Sequence, residues 1–271
     1  MSSVPLATRP AGTGLATLLE KVASDTGFDL VFAQERDWLR FGSSHAPLEI
    51  WLAATTWDRP VAAFRRCDVA IAMPEHGTAT TLDMPSGATA VRLVDDVPAL
   101  YAMLRRAYQL ARSLPDEILH VFEQRTRGMP RTTEAERLVV QRVGQNIFRA
   151  GLMEYWDGRC AVTGLAVPEL LRASHIKPWA ACESDAERLD VFNGLLLAPH
   201  LDAAFDAGLI TFSDEGVLIV ASRLSDVDRR LLGVDNPLQI ARLTDAHSHY
   251  LAWHRAREFE SRAIPKPPDR A

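Results

Sequence analysis

The sequence predicts an α+β chain in two parts, and three observations predict it. Short apolar runs parted by turn residues fill the first hundred or so positions and close with one amphipathic helix. A long helical repeat then starts behind a capping signal at Thr133. After it, a stretch rich in His, Asn and Asp reads as strand, polar connection, short strand and helix.

Residues 1 to about 12 read as a disordered lead. Residues 14–24 carry Leu15, Leu18, Leu19 and Val22 at helical spacing, and Gly27 supplies the stop. Apolar runs at 30–33, 48–53, 61–64, 69–73 and 90–94 predict the strands of a small antiparallel sheet. Asp58-Arg59-Pro60, Glu75-His76-Gly77 and Pro85-Ser86-Gly87 part them. Residues 98–113 form a helix with Leu100, Leu104, Ala107, Tyr108 and Ala111 on one face. Residues 1–115 thus make an N-terminal α+β domain. Its Trp38, Trp51 and Trp57 are expected in packing rather than on an open stacking platform. His45 and His76 fall in loops. Asp95 and Asp96 are expected as charge at a helix start.

Residues 116–133 read as a linker, broken at Gly128-Met129-Pro130. Thr133 with Glu136 makes a capping box, and its helix runs to about Tyr155. Leu138, Arg142, Gln145 and Arg149 share one stripe of it, while Val139, Val143, Ile147 and Met153 supply buried positions. Asp157-Gly158 turns the chain, a strand ends at His175, and a helix starts near Pro199. Residues 209–212 and 217–220 form a hairpin about Asp214-Glu215-Gly216. Residues 225–232 and 245–261 are helical. His247, His249 and His254 on the last helix read as a solvated face rather than a metal site, because no cysteine or carboxylate cluster joins them. The second domain spans 134–262, and 263–271 is a flexible tail.

With 271 residues and a net charge of -5, composition is that of a soluble globular protein. No run of about 20 apolar residues is present, and the first residues lack the basic-then-apolar order of a secretory signal. The cytoplasm is therefore expected. Cys67, Cys160 and Cys182 give neither a disulfide framework nor a zinc tetrad. The charge excludes a uniformly basic polymer binder. Locally, however, Arg125, Arg127, Arg131, Arg137, Arg142 and Arg149 are opposed only by Glu134 and Glu136. That segment reads equally as a solvated face and as a phosphate-facing one.

Four phrases in order, Arg159-Cys160-Ala161-Val162-Thr163-Gly164, Ser174-His175-Ile176-Lys177-Pro178-Trp179, Asn193-Gly194-Leu195-Leu196-Leu197 and Phe205-Asp206-Ala207-Gly208, resemble the HNH nucleases. The resemblance covers residues 141–219. His175 falls on the family's first histidine, Asn193 on its middle asparagine, and Asp202 where the last histidine commonly stands. It implies a C-terminal ββα-metal (HNH) nuclease domain that hydrolyses phosphodiester bonds of double-stranded DNA. It also implies a divalent metal ion, Mg²⁺ first and Mn²⁺ or another divalent ion as substitutes. Thr163 replaces the partner of a Cys-x-x-Cys pair, so no structural zinc is expected.

By the same resemblance His175 is the general base and Asn193 holds the connecting loop. The metal stabilises charge at the phosphate and leaving oxygen. Its ligands rank as Asp202, Asp206 and His200. Asp202 and Asp206 share a helical face, whereas His200 lies about 200° from Asp202 on a regular helix. Asp206 has a second reading, as a hydrogen-bonding residue that fixes the helix end. Ser174 departs from the pattern, since many members place a ligating Asp or His there. Arg149, Arg172, Lys177 and Arg142 are the phosphate-contact candidates, with Arg149 alternatively paired inside the core. A double-strand break needs two active sites, which makes a homodimer the natural assembly. Proteins of this architecture serve restriction or phage defence, with the N-terminal domain selecting a target that can be modified DNA. Two other readings stand beside this one: a DNA-binding protein whose HNH fold is weak or inactive, and a nuclease regulated by a ligand or protein on the N-terminal domain.

Overall fold

The structure, a computed structural model, describes residues 8–9, 12–130 and 132–259. Most of the predicted lead, Arg131 and the predicted tail 263–271 lie outside these residues. Contacts divide the chain into two compact units, Met1–Glu117 and Ile118–Ala271.

The first unit comprises β1 (Thr8–Arg9), α1 (Thr13–Asp25), β2 (Leu30–Val31), β3 (Leu39–Gly42), β4 (Glu49–Thr55), β5 (Pro60–Phe64), α2 (Cys67–Ile71), β6 (Thr78–Ala79), β7 (Ala90–Leu93) and α3 (Val97–Ser113). The strands pair in the order β2-β3-β4-β5-β7-β6, with β1 added on β4, and every pairing is antiparallel. Helices α1, α2 and α3 pack on the sheet. Trp38, Trp51, Ala53, Val61, Val91 and Leu93 form a second cluster with Leu82 and Ala88 against it. The central strands β4 and β5 are therefore covered on both faces, which is why they read as unbroken apolar runs. Trp57 is the exception to the packing expected of the tryptophans. It is 61% exposed in the β4–β5 turn, where the next residue, Asp58, has φ 60°.

The run 69–73, predicted as a strand, overlaps helix α2 instead. One carbonyl of the run, that of Ala70, is met by a side chain. The buried Arg92 guanidinium donates to Ala70 O at 2.6 Å and to Gly77 O at 3.0 Å. The predicted linker is also corrected in part. Helix α4 (Pro115–Thr126) occupies its first half, and Ile118, Phe122 and Thr126 give it a buried face at fourfold spacing. Gly128, read as a break, lies just beyond the end of this helix, with φ 77°.

In the second unit α5 (Glu134–Tyr155) opens with the predicted box. Thr133 Oγ1 accepts from Glu136 N at 3.2 Å, and Glu136 Oε2 accepts from Thr133 N at 2.9 Å. Its buried stripe is Val140, Gly144, Ile147, Phe148, Gly151, Leu152 and Tyr155. Val139, expected inside, is 58% exposed, because the stripe runs through its neighbour Val140. There follow β8 (Arg172–His175), α6 (Asp185–Leu189), β9 (Gly194–Leu197), α7 (Pro199–Asp206), β10 (Ile210–Phe212), β11 (Leu218–Val220), α8 (Asp226–Leu232) and α9 (Asp245–Arg257). β8 and β9 form one antiparallel hairpin, β10 and β11 another. Helix α5 packs on both β8 and β9, and α7 packs on β8. No helix among the described residues is long and apolar enough to cross a membrane.

The final helix is solvated at His249, as predicted, but not at His254 and His247. His254 is buried, stacks on Phe205 at 3.8 Å and 6°, and meets Thr211 Oγ1 at 2.9 Å. His247 is buried among Tyr155, Trp156 and Phe192. Its Nδ1 lies 3.0 Å from the Thr244 hydroxyl that caps α9. Burial pushes the His247 pKa down to about 4. Since the unfolded ring titrates near 6.5, the unfolded chain binds the extra proton between these values, and stability falls as pH drops from 6.5 to 4. This ring alone is expected to cost about 3 kcal/mol over that interval. Urea unfolding at stepped pH checks it. The His247→Leu variant should show a shallower fall, and parallel curves for variant and parent would refute the assignment.

Candidate active site

His175 is the last residue of β8 and pairs with Gly194. Its ring stacks on Phe148 of α5, with centroids 3.8 Å apart and planes at 17°, and meets Trp179 edge-on at 5.6 Å. Gly194 makes this stack feasible. A Cβ there would lie 2.5 Å from Phe148 Cζ and 2.8 Å from Leu152 Cδ2, so only glycine lets α5 approach the hairpin so closely. His175 Nε2 lies 2.8 Å from the carbonyl oxygen of Arg188. A carbonyl only accepts, so Nε2 carries the proton and Nδ1 keeps its lone pair. Burial pushes the His175 pKa down to about 4, against the Arg188 hydrogen bond, which pulls it up. The imidazole is neutral at physiological pH, with one nitrogen able to take a proton.

The loop that supplies this carbonyl is organised by Asn193. The buried carboxamide accepts from Lys177 N at 2.7 Å and donates to Lys177 O and Glu187 O, both at 3.2 Å. It also lies 3.4 Å from Cys182 Sγ. Ser184 caps α6 by accepting from Glu187 N at 3.1 Å. The Arg188 side chain donates to Cys182 O at 2.6 Å and to Trp179 O at 3.3 Å. Residues 177–188 are thereby closed on themselves, and the Arg188 carbonyl is turned toward the imidazole. Asp190 extends the frame, accepting from Phe192 N at 2.8 Å and from the Tyr250 hydroxyl at 3.0 Å.

Strand alternation places Ser174 on the face of β8 opposite His175, and Arg172 with it. The Ser174 hydroxyl is buried and makes no hydrogen bond of regular geometry. It lies near enough to the Asp202 carboxyl on α7 to influence it. Burial raises the Asp202 pKa, while the Ser174 hydroxyl and the Arg172 charge act to lower it. The Ser174 hydroxyl and the partly buried Asp202 carboxyl thus lie close together beside β8. His200 and Asp206 are exposed on the same helix. Among the described residues, no group of three or more His, Cys, Asp or Glu side chains is gathered to hold an ion. The predicted trio does not converge because α7 begins at Pro199, which puts His200 on the far side from Asp202 and Asp206 a turn further along.

The four predicted phosphate contacts separate into two pairs. Arg149 donates to Leu171 O at 2.7 Å and to Pro168 O at 2.8 Å, so its guanidinium secures the approach to β8 and, among the described residues, pairs with no carboxylate. Lys177 Nζ lies 2.6 Å from Glu187 Oε1 and 6.0 Å from the Trp253 ring. Arg142 and Arg172 are exposed.

Phe148, Arg188 and Asp190 carry roles that sequence reasoning missed. Phe148 had a signal, since it lies on the stripe through Ile147 and Leu152 that must face the glycine after Asn193. Arg188 acts through its backbone, which no side-chain pattern marks.

Comparison with family models matches residues 160–213 to one described as HNH endonuclease. Comparison with curated proteins gives no match. The matched segment contains Ser174, His175, Asn193, Asp202 and Asp206.

Proposed function

We propose, from the premise of an HNH endonuclease segment, that the chain is a divalent-metal-dependent endonuclease acting on double-stranded DNA, with His175 as general base. The observation that carries this reading is the His175 tautomer. The Arg188 carbonyl fixes the proton on Nε2 and leaves Nδ1 as acceptor at the end of a strand. There Nδ1 takes a proton from the attacking water. An anionic phosphate drawn beside the ring raises its proton affinity from the low value that burial imposes. Among the described residues β8 pairs on one side only, with β9.

Ser174 and Asp202 fit a hydrated divalent ion such as Mg²⁺ or Mn²⁺. The buried serine hydroxyl lacks a regular hydrogen-bond partner, and Mg²⁺ commonly takes one or two carboxylates while keeping several waters. These two residues would hold it, and the ion would supply charge stabilisation at the phosphate. One serine and one carboxylate make a weak site, which favours millimolar metal requirements.

The target lies in restriction or phage defence in the cytoplasm, with the first unit selecting the DNA and a homodimer delivering two cuts. A second reading has an observation of its own. Ser174 in a ligand position, with no gathered trio, suits an HNH fold that binds DNA and cuts poorly. Supercoiled plasmid with Mg²⁺ or Mn²⁺ separates them. Nicking that EDTA abolishes is the expected result, whereas binding without cleavage in either metal favours the second. Equal rates on plain, methylated and hydroxymethylated DNA would count against a modified target.

A further inference from the structure

The exposed face of α5 beside the base has no part in the site described so far. On a regular helix Leu138, Arg142, Gln145 and Arg149 fall within about 60° of one another. This stripe borders Phe148, on which His175 stacks, and Arg149 ties its near end to the start of β8. Leu138 is 57% exposed, and Arg142 and Gln145 are exposed as well. Neither Arg142 nor Gln145 has a hydrogen bond or ion pair among the described residues. No carboxylate occurs between Glu136, held in the capping box, and Glu154. A solvated helix face ordinarily mixes both signs of charge. Here one exposed cation, Arg142, shares the stripe with an amide and an apolar side chain, a set that complements a polyanion bearing base edges.

We propose that this stripe reads the DNA that the nuclease cuts. The helix lies in the major groove, which is wide enough for it. Arg142 meets a backbone phosphate, Gln145 a base edge such as adenine, and Leu138 a thymine methyl. The assignment rests on the nuclease reading above and adds a sequence preference close to the cut.

Binding is measured on the full chain carrying His175→Ala, so that substrate stays whole. Adding Arg142→Gln is expected to weaken duplex binding about tenfold and to reduce the slope of log affinity on log salt by about 1. With His175 restored, Gln145→Ala is expected to relax preference at one base pair near the cut about tenfold. Sequencing the ends released from a random-sequence library reads this out. Parental affinity, salt slope and cut-site preference in both variants would overturn the assignment and leave the nuclease reading standing. A parent chain that neither binds nor cuts duplex DNA would overturn the two together.

Discussion

His175→Ala is expected to slow plasmid nicking about 10²- to 10⁴-fold, the range that a positioned general base supplies. The variant removes the imidazole whose Nδ1 can accept a proton at the end of β8, because the Arg188 carbonyl holds the other nitrogen as a donor. It also leaves that carbonyl unpartnered and Phe148 without its stacked ring, which together cost about 1–3 kcal/mol of stability. Rates are therefore compared well below the melting transition, with circular dichroism confirming the fold. Nicking at the parental rate by the folded variant would remove His175 from the chemistry.

Asn193→Ala is expected to damage folding and cleavage together, and cleavage more. Its carboxamide satisfies Lys177 N, Lys177 O and Glu187 O, and truncation strands these backbone groups in a buried place. A cost of about 2–4 kcal/mol follows from unsatisfied buried polar groups. The added loss of activity comes from Arg188, next in sequence to Glu187. Once Glu187 O is released, the carbonyl that orients His175 shifts with it. Asn193→Asp tests the same point with the shape retained, since it places an acceptor against two carbonyl oxygens. Urea unfolding and initial rates on the same samples decide. A variant that loses stability but cleaves normally per folded molecule would confine Asn193 to structure.

What could be read in the sequence was what local chemistry dictates. The start of α5 was legible because Thr133 and Glu136 satisfy each other's backbone groups within a single turn. The hairpin and α7 were legible from ordered phrases around His175 and Asn193. Residues 69–73 were misread because a five-residue apolar run suits a buried helix turn as well as a strand, and the deciding partner, Arg92, lies on another element. Lys177 looked like an open cation, and Arg149 like either an open cation or one paired with a carboxylate, for a similar reason. Their partners are Glu187 and two carbonyls that only the folded chain brings near. His247 and His254 were assigned to water because three imidazoles on one helix suggest polarity. An imidazole stacked on one ring, as His254 is, or set tilted and edge-on among several, as His247 is, packs as core.

The group that orients His175 belongs to the main chain, and every residue type carries it. Chemical identity at position 188 is thus dispensable for setting the tautomer, although the arginine side chain still braces the segment through Trp179 and Cys182. Spacing is not dispensable. One residue inserted or deleted between Lys177 and Asn193 would bring a different peptide unit, or an N–H, to the imidazole and reverse which nitrogen bears hydrogen. The length of the segment, more than the side chain at position 188, therefore decides which peptide unit meets the ring.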